Sequence, residues 1–176
     1  IQQGSVFISH SDSTIRGGYV WSSEATANSS FAIRINNSPN VAVLNVRGLI
    51  PSPGYGGGIF IHSDGTGGNH TVSAINIQGN FFDGNPNPLI LHNTGIITSS
   101  TTEMLDSQIL NNYFFRIKAG AVNIHHAANC DISNNLMENC NDLNSGGGNN
   151  SSDIKVGCSI YVASNNITGN ISNISA

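Results

Sequence analysis

Apolar residues alternate with variable ones in short runs: Val6/Ile8, Ile33/Ile35, Ile59/Ile61, Leu89/Leu91, Val122/Ile124 and Ile154/Val156. A period of two, rich in Ile and Val, predicts strands. A second element follows each run: an aliphatic residue, two variable residues, then usually Asn. Its aliphatic positions are Ile15, Val43, Ile77, Ile109, Ile132 and Val162. The positions three further on are Gly18, Val46, Asn80, Asn112, Asn135 and Asn165. The clearest copies, Ser73 to Asn85 and Cys158 to Asn170, align without a gap. By difference of position, the aliphatic residues fall 28, 34, 32, 23 and 30 residues apart. A unit of that size, repeated with varying loop length, predicts a solenoid, because one unit cannot hide its apolar face and stacked units can. No ten-residue stretch carries a helical period, and the chain holds 20 glycines. The expectation is all-β, with residues 1–176 forming one domain of about six turns.

The recurring Asn has a physical reason. Asn tolerates the left-handed backbone of a sharp bend, and stacked Asn side chains can hydrogen-bond along the stacking axis. Gly18 meets the same demand, whereas Val46 departs from the pattern. The phase of the repeat puts Phe82, Phe114, Met137 and Ile167 in the core and turns Phe81, Tyr113 and Leu136 outward as an apolar stripe. Such stripes mark interfaces, with sugar stacking on Tyr113 and Trp21 as the alternative.

The repeated I-x-x-N-φ with a preceding φ-x-φ, where φ is apolar, resembles the right-handed parallel β-helix superfamily. That group includes pectate lyases, polygalacturonases and bacteriophage tailspikes. The resemblance spans nearly the whole chain and is closest to a tailspike segment. It implies a single-stranded right-handed parallel β-helix on a virion or outside the cell. It further implies a protein that binds, and in the enzymatic reading depolymerises, surface polysaccharide, and that assembles as a homotrimer or with other virion subunits. A purely structural virion decoration or fibre module is the alternative from another class, and a secreted polysaccharide lyase or hydrolase fragment is a third. Arg116-Ile117-Lys118 matches the RIK tripeptide of polygalacturonases, and His62-Ser63-Asp64-Gly65 resembles their NTDG segment. Their paired Asp-Asp and Gly-His-Gly motifs are absent between the two, which leaves Asp64 without the second carboxylate of glycoside hydrolysis.

Composition narrows the partners. Charged residues make up 9 % of the chain, against a usual ~25 %, and the net charge is −4. Six scattered Lys and Arg form no basic patch, which argues against nucleic acid. No run approaches the ~20 apolar residues of a membrane-spanning helix. No clustered Asp suggests Ca²⁺ and no CxxC pair suggests zinc, so neither metal nor cofactor is expected. Of Cys130, Cys140 and Cys158, Cys130 takes the register position of Ile75 and Ile160 and is expected to point inward as a small buried hydrophobe. A Cys130–Cys158 bridge between adjacent turns is the more demanding alternative. Neither terminus carries a cover for open strand edges, so the chain is expected to be a segment of a longer protein or assembly.

The candidate site comes from the loops. From first run to second element, Ile61 to Ile77 spans 16 residues and Leu91 to Ile109 spans 18, against 8 for Ile35 to Val43. Long loops on neighbouring turns share a corner, where function on solenoids gathers. His62, His92 and His125 each follow the last inward aliphatic residue, which predicts an outward His ladder at about 4.8 Å spacing. Asp64, Asp106, His126 and Asp131 lie close by in sequence. His can serve as acid or base near neutral pH. His62, Asp64 and His125 are therefore the candidate catalytic residues; His92, Asp106, His126, Tyr113 and Trp21 are the candidate ligand contacts. The competing reading is an outward His file that is merely solvated or lies in a subunit contact.

Overall fold

Each described strand pairing in the computed structural model is parallel, and the pairings gather into three sheets. The structure describes residues 2–3, 6–21, 30–49, 55–64, 70–84, 92–117, 120–140, 154–158 and 165–173. Of residues 2–3, 21, 30, 49, 55–56, 92–93, 155–158 and 173 only the backbone is described. Among the described residues there is no helix. The first sheet contains Val6–Ile8, Ser30–Asn36, Tyr55–His62, His92–Thr98, Gly120–Ala128 and Ile154–Cys158, extended by Thr71–Ser73 and Glu103–Leu105. The second stacks Thr14–Arg16, Ala42–Leu44, Asn76–Gln78, Gln108–Leu110, Asp131–Ser133 and Asn166–Thr168. The third stacks Gln2–Gln3, Tyr19–Trp21, Arg47–Leu49, Phe81–Asp83, Tyr113–Phe115, Leu136–Glu138 and Ile171–Asn173. The chain visits the sheets in one order, repeat after repeat, an arrangement compatible with a solenoid.

The second element stacks as its pattern predicts. Ile15, Val43, Ile77, Ile109 and Ile132 pair in one unbroken file, and Ile77, Ile109 and Ile132 are wholly buried. The last member is a correction. Ile132 pairs with Ile167 and not with Val162, which lies outside the described residues. The matching segments are therefore Asn76–Asn80 (NIQGN) and Asn166–Asn170 (NITGN), five residues later than the gap-free alignment of the longer segments. The bend decides this. Gly79 and Gly169 occupy equivalent positions with φ of 66° and 63°, where a Cβ would be strained. Ile167, expected beside Phe82 and Phe114, is instead 48 % exposed at the end of the isoleucine file.

The stacked Asn side chains hydrogen-bond along the axis as expected, whereas the left-handed bend falls one place earlier than expected. The left-handed residues of this bend are Gly17, Asn45, Gly79, Asn111, Asn134 and Gly169, one place before the recurring position, and Gly18 at that position is left-handed as expected, with φ 79°. The recurring Asn itself points inward. Asn112 Oδ1 accepts from the backbone N–H of Asn80 at 2.9 Å and from its Nδ2 at 3.0 Å. Asn112 Nδ2 donates to Ile77 O and to Asn135 Oδ1, both at 3.0 Å. Asn135 repeats this with Asn170. Val46 stays in register at the ladder's end, its N–H donating to Asn80 Oδ1 at 2.8 Å. A second inward polar file holds Ser107 and Asn165, which accept the N–H groups of Ile75 and Cys130 at 3.0 Å. Cys130 thus follows Ile75 as expected, but Asn165 replaces Ile160 beside it. Cys130 is a buried free thiol donating to Met104 O and Ala128 O, and burial raises its pKa.

The first sheet corrects the other run. Val6, Ile33, Ile59, Ile96, Val122 and Ile154 form one file. Ile96 and Thr98 hold the place assigned to Leu89 and Leu91, which lie outside the described residues. Thr98 is fully buried, and its Oγ1 accepts the N–H of His125 at 2.9 Å, so a polar residue continues an apolar file. The second long loop shrinks accordingly. His125 and His126 are consecutive, while their counterparts Ser99 and Glu103 flank three extra residues, Ser100 to Thr102. Thr102 N–H donates back to Ser99 O at 3.0 Å and closes that insertion as a tight turn.

The core is shaped by complementary size. Phe82 and Phe114 stack at 4.7 Å with planes 6° apart, inward from the third sheet, and Met137 continues their file. Gly58 and Gly95 face these rings from the first sheet. A Cβ on Gly95 would sit 2.6 Å from the Phe114 ring and too close to the Ala121 carbonyl. Gly48 stands where the Phe file begins, beside an apolar void of about 10 Å³ lined by Val20, Ile33, Val46, Ile59 and Phe82. A Cβ there would meet Phe82 at an ordinary 3.8 Å.

Two predictions follow from this packing. Asn112→Ala strips partners from Asn80 and Ile77 and should lower unfolding stability by about 2–4 kcal/mol, given roughly 1–3 kcal/mol per unmet buried group. Chemical denaturation measures it, and a loss under ~0.5 kcal/mol would disprove the ladder's role. Gly48→Ala should stabilise by about 0.4–1 kcal/mol. Gly95→Ala should destabilise by at least about 1–3 kcal/mol through overpacking. Opposite shifts in Tm are the expected readout, and equal shifts would refute the size argument.

Candidate functional site

The outer surface of the first sheet is set by the variable residue inside each alternating run. Phe7, Arg34 and Phe60 are those residues in three consecutive repeats and pair directly. The Arg34 guanidinium carbon lies 5.1 Å from the Phe7 ring centroid and 5.4 Å from that of Phe60. Phe60 stacks on Phe31 at 4.8 Å and on His62 at 5.6 Å. Phe7 is 58 % exposed.

His62 and Asp64 come together at the end of this face. His62 Nε2 is bonded to Asp64 Oδ1 in a very short contact. Asp64 Oδ2 accepts from Asn36 Nδ2 at 3.4 Å and Asn37 Nδ2 at 3.3 Å, and Asp64 N–H donates to Asn37 Oδ1 at 2.7 Å. The His62 contact, more than any other cause, holds the Asp64 carboxyl below its ordinary value of 3.8. His62 Nδ1 is buried and makes no hydrogen bond.

The other candidates divide among separate places. His125 shares the outward file of His62, but two repeats away with Ser99 between, about 9–10 Å at the usual strand spacing. Its Nδ1 is engaged by Thr98 O at 2.9 Å. His92 breaks the predicted ladder. It pairs with Tyr55 at the start of its strand, six residues before Thr98 and about 20 Å from it along the strand, and its side chain lies outside the described residues. The cause is the misplaced run at Leu89 and Leu91. His126 lies opposite Glu103. His125 and His126 together face one residue of Ile154–Cys158, a bulge in that pairing.

Asp106 is a left-handed bend residue between the first and second sheets, φ 47°, and accepts from Asn129 Nδ2 at 3.2 Å. It lines an open hollow of about 460 Å³ with Gln108, Asn129, Asp131 and Asn166. Tyr113 lies on the third sheet, where its hydroxyl donates to Glu138 at 2.5 Å. That bond, with burial, pushes its pKa up to about 12. Tyr113 is in contact with Phe81 at 5.1 Å and Phe115 at 6.1 Å, and Arg116 grips Asp83 through two bonds of 2.6 Å and one of 3.0 Å. Trp21 occupies the same sheet, paired with Leu49, its side chain outside the described residues. Arg116 of the RIK tripeptide is therefore bonded within this sheet, away from His62.

Sequence reasoning missed Phe7, Arg34 and Phe60, although reading the middle residue of each φ-x-φ run would have found them. Among the described residues no group of three or more His, Cys, Asp or Glu side chains could hold a metal ion, and no helix is long and apolar enough to cross a membrane. Comparison with family models, characterised proteins and solved structures found no match.

The His62–Asp64 contact is testable by titration. Asp64 should titrate below 3.8, and His62→Asn should return it upward. Because the folded pKa is depressed, the pair contributes above the ordinary Asp range, and the contribution is lost as pH falls through the lowered value. Carboxyl-carbon NMR reads this directly, and an unshifted Asp64 in both proteins would refute the pairing.

Proposed function

We propose that the chain winds as a right-handed parallel β-helix of about six turns and acts as a tailspike-like surface protein that binds polysaccharide along its first sheet. The winding rests on the constant order of three parallel sheets. The binding reading is carried by one observation: an outward row of Phe7, Arg34 and Phe60 ends at His62 and Asp64. Rings that stack on apolar sugar faces lie there beside groups that hydrogen-bond hydroxyls, the mixture a glycan groove needs. The geometry favours binding over cleavage. Among the described residues bonded to His62, Asp64 alone carries a carboxylate, whereas glycoside hydrolysis uses two at about 5–9.5 Å.

A specific observation favours a second role for the third sheet. Tyr19, Arg47, Phe81, Tyr113, Leu136 and Ile171 share one outward file, apolar or aromatic except at Arg47, with Tyr19 47 % and Ile171 56 % exposed. Such a stripe suits the contact between subunits of a homotrimer or a virion.

A panel of bacterial surface polysaccharides, read by affinity and by sedimentation, tests both readings. Phe7→Ala and His62→Ala should each weaken glycan affinity about tenfold, equivalent to ~1.4 kcal/mol. Tyr19→Ser with Ile171→Ser should lower the sedimenting mass and leave affinity per chain unchanged. Unchanged affinity in Phe7→Ala and His62→Ala would remove the glycan site from this face. An unchanged mass in the third-sheet variant would remove the subunit contact.

A further inference from the structure

Arg34 stands apart among the described cations of the two outer faces. Arg47 donates to the Tyr19 hydroxyl at 3.0 Å, and Arg116 is bidentate to Asp83. Arg34 Nε is buried without any hydrogen bond, and among the described residues no carboxylate pairs with its guanidinium. Rings cover both guanidinium faces. A buried donor left unmet costs stability, and its persistence calls for an explanation. A second unmet nitrogen lies beside the same Phe60 ring. His62 Nδ1 is buried and unpartnered, while Nε2 is held by Asp64. Arg34 and His62 are diagonal neighbours on adjacent strands, about 7–8 Å apart.

We propose that Arg34, Phe60 and His62 form a subsite for the carboxylate of an acidic sugar. Because both faces of the guanidinium are covered, a ligand reaches it only in its own plane, and a planar carboxylate matches that fork. The exposed ring of Phe7 takes the apolar sugar face, and His62 lies beside Phe60. Asp64 limits the charge: one carboxylate per sugar is accommodated, while a densely sulfated chain meets repulsion. The inference rests on the glycan reading above and specifies its substrate class.

The test uses matched pairs, oligosaccharides of hyaluronan, alginate and polygalacturonate together with their methyl esters, which remove only the charge. The wild-type chain should bind at least one acid about tenfold more tightly than its ester, in the range of a charge-assisted hydrogen bond. Arg34→Met keeps an apolar stem between the rings and should abolish that difference between acid and ester. Arg34→Lys keeps the charge without the fork and should retain only a small part of it, which keeps the proposal testable if Arg34→Met fails to fold. Equal binding of acid and ester, or discrimination that survives Arg34→Met, overturns the subsite but not the glycan reading. Binding to neither, here or on the surface polysaccharides, overturns both. Full competition by hexaglutamate would assign the site to an acidic peptide and overturn the proposal.

Discussion

At two bends of the described repeats, those before and after the second sheet, a backbone N–H turns towards an apolar interior. An unmet group there costs far more than a single hydrogen bond returns. The inward Asn file answers that constraint. One amide supplies an acceptor for the N–H of its neighbour and a donor for a carbonyl, and the next amide completes it. Ser107 and Asn165 do the same at the preceding bend. These contacts leave no freedom to slide one repeat against another, since a slip would orphan several buried groups at once. The isoleucine file, the Phe–Gly complementarity and the order of outward side chains all depend on that fixed register.

A fixed register gives each outer surface its own chemistry. The first sheet stacks an arginine between two phenylalanines and ends on a histidine held by a carboxylate. The third stacks aromatics beside two carboxylates, each engaged, Asp83 by Arg116 and Glu138 by Tyr113. In a chain with so few charges, a buried Arg34 Nε without a hydrogen-bond partner among the described residues is conspicuous, and the proposed acidic-sugar subsite takes its rationale from that. The aromatic–apolar file of the third sheet fits a different purpose, which is why we propose a subunit contact there.

The amino-acid pattern alone determined the stacked β architecture and the interior isoleucine file from Ile15 to Ile132. Both follow from local physics: period-two alternation buries one face, and bends select Asn and Gly. It could not place His92, the second of the three predicted histidines. Thr98 is buried because its hydroxyl meets the His125 N–H, and nothing in a linear reading distinguishes that threonine from a solvated one. The linear alternation therefore falls on Leu89 and Leu91, which carries His92 into a ladder it does not join. The last repeat slipped for a similar reason, since the bend glycine outweighed the longer gap-free match. Register is a property of hydrogen bonds between residues some 30 positions apart, so only the tertiary structure decided which side chains meet: His62 with Asp64, and Arg34 with Phe7 and Phe60.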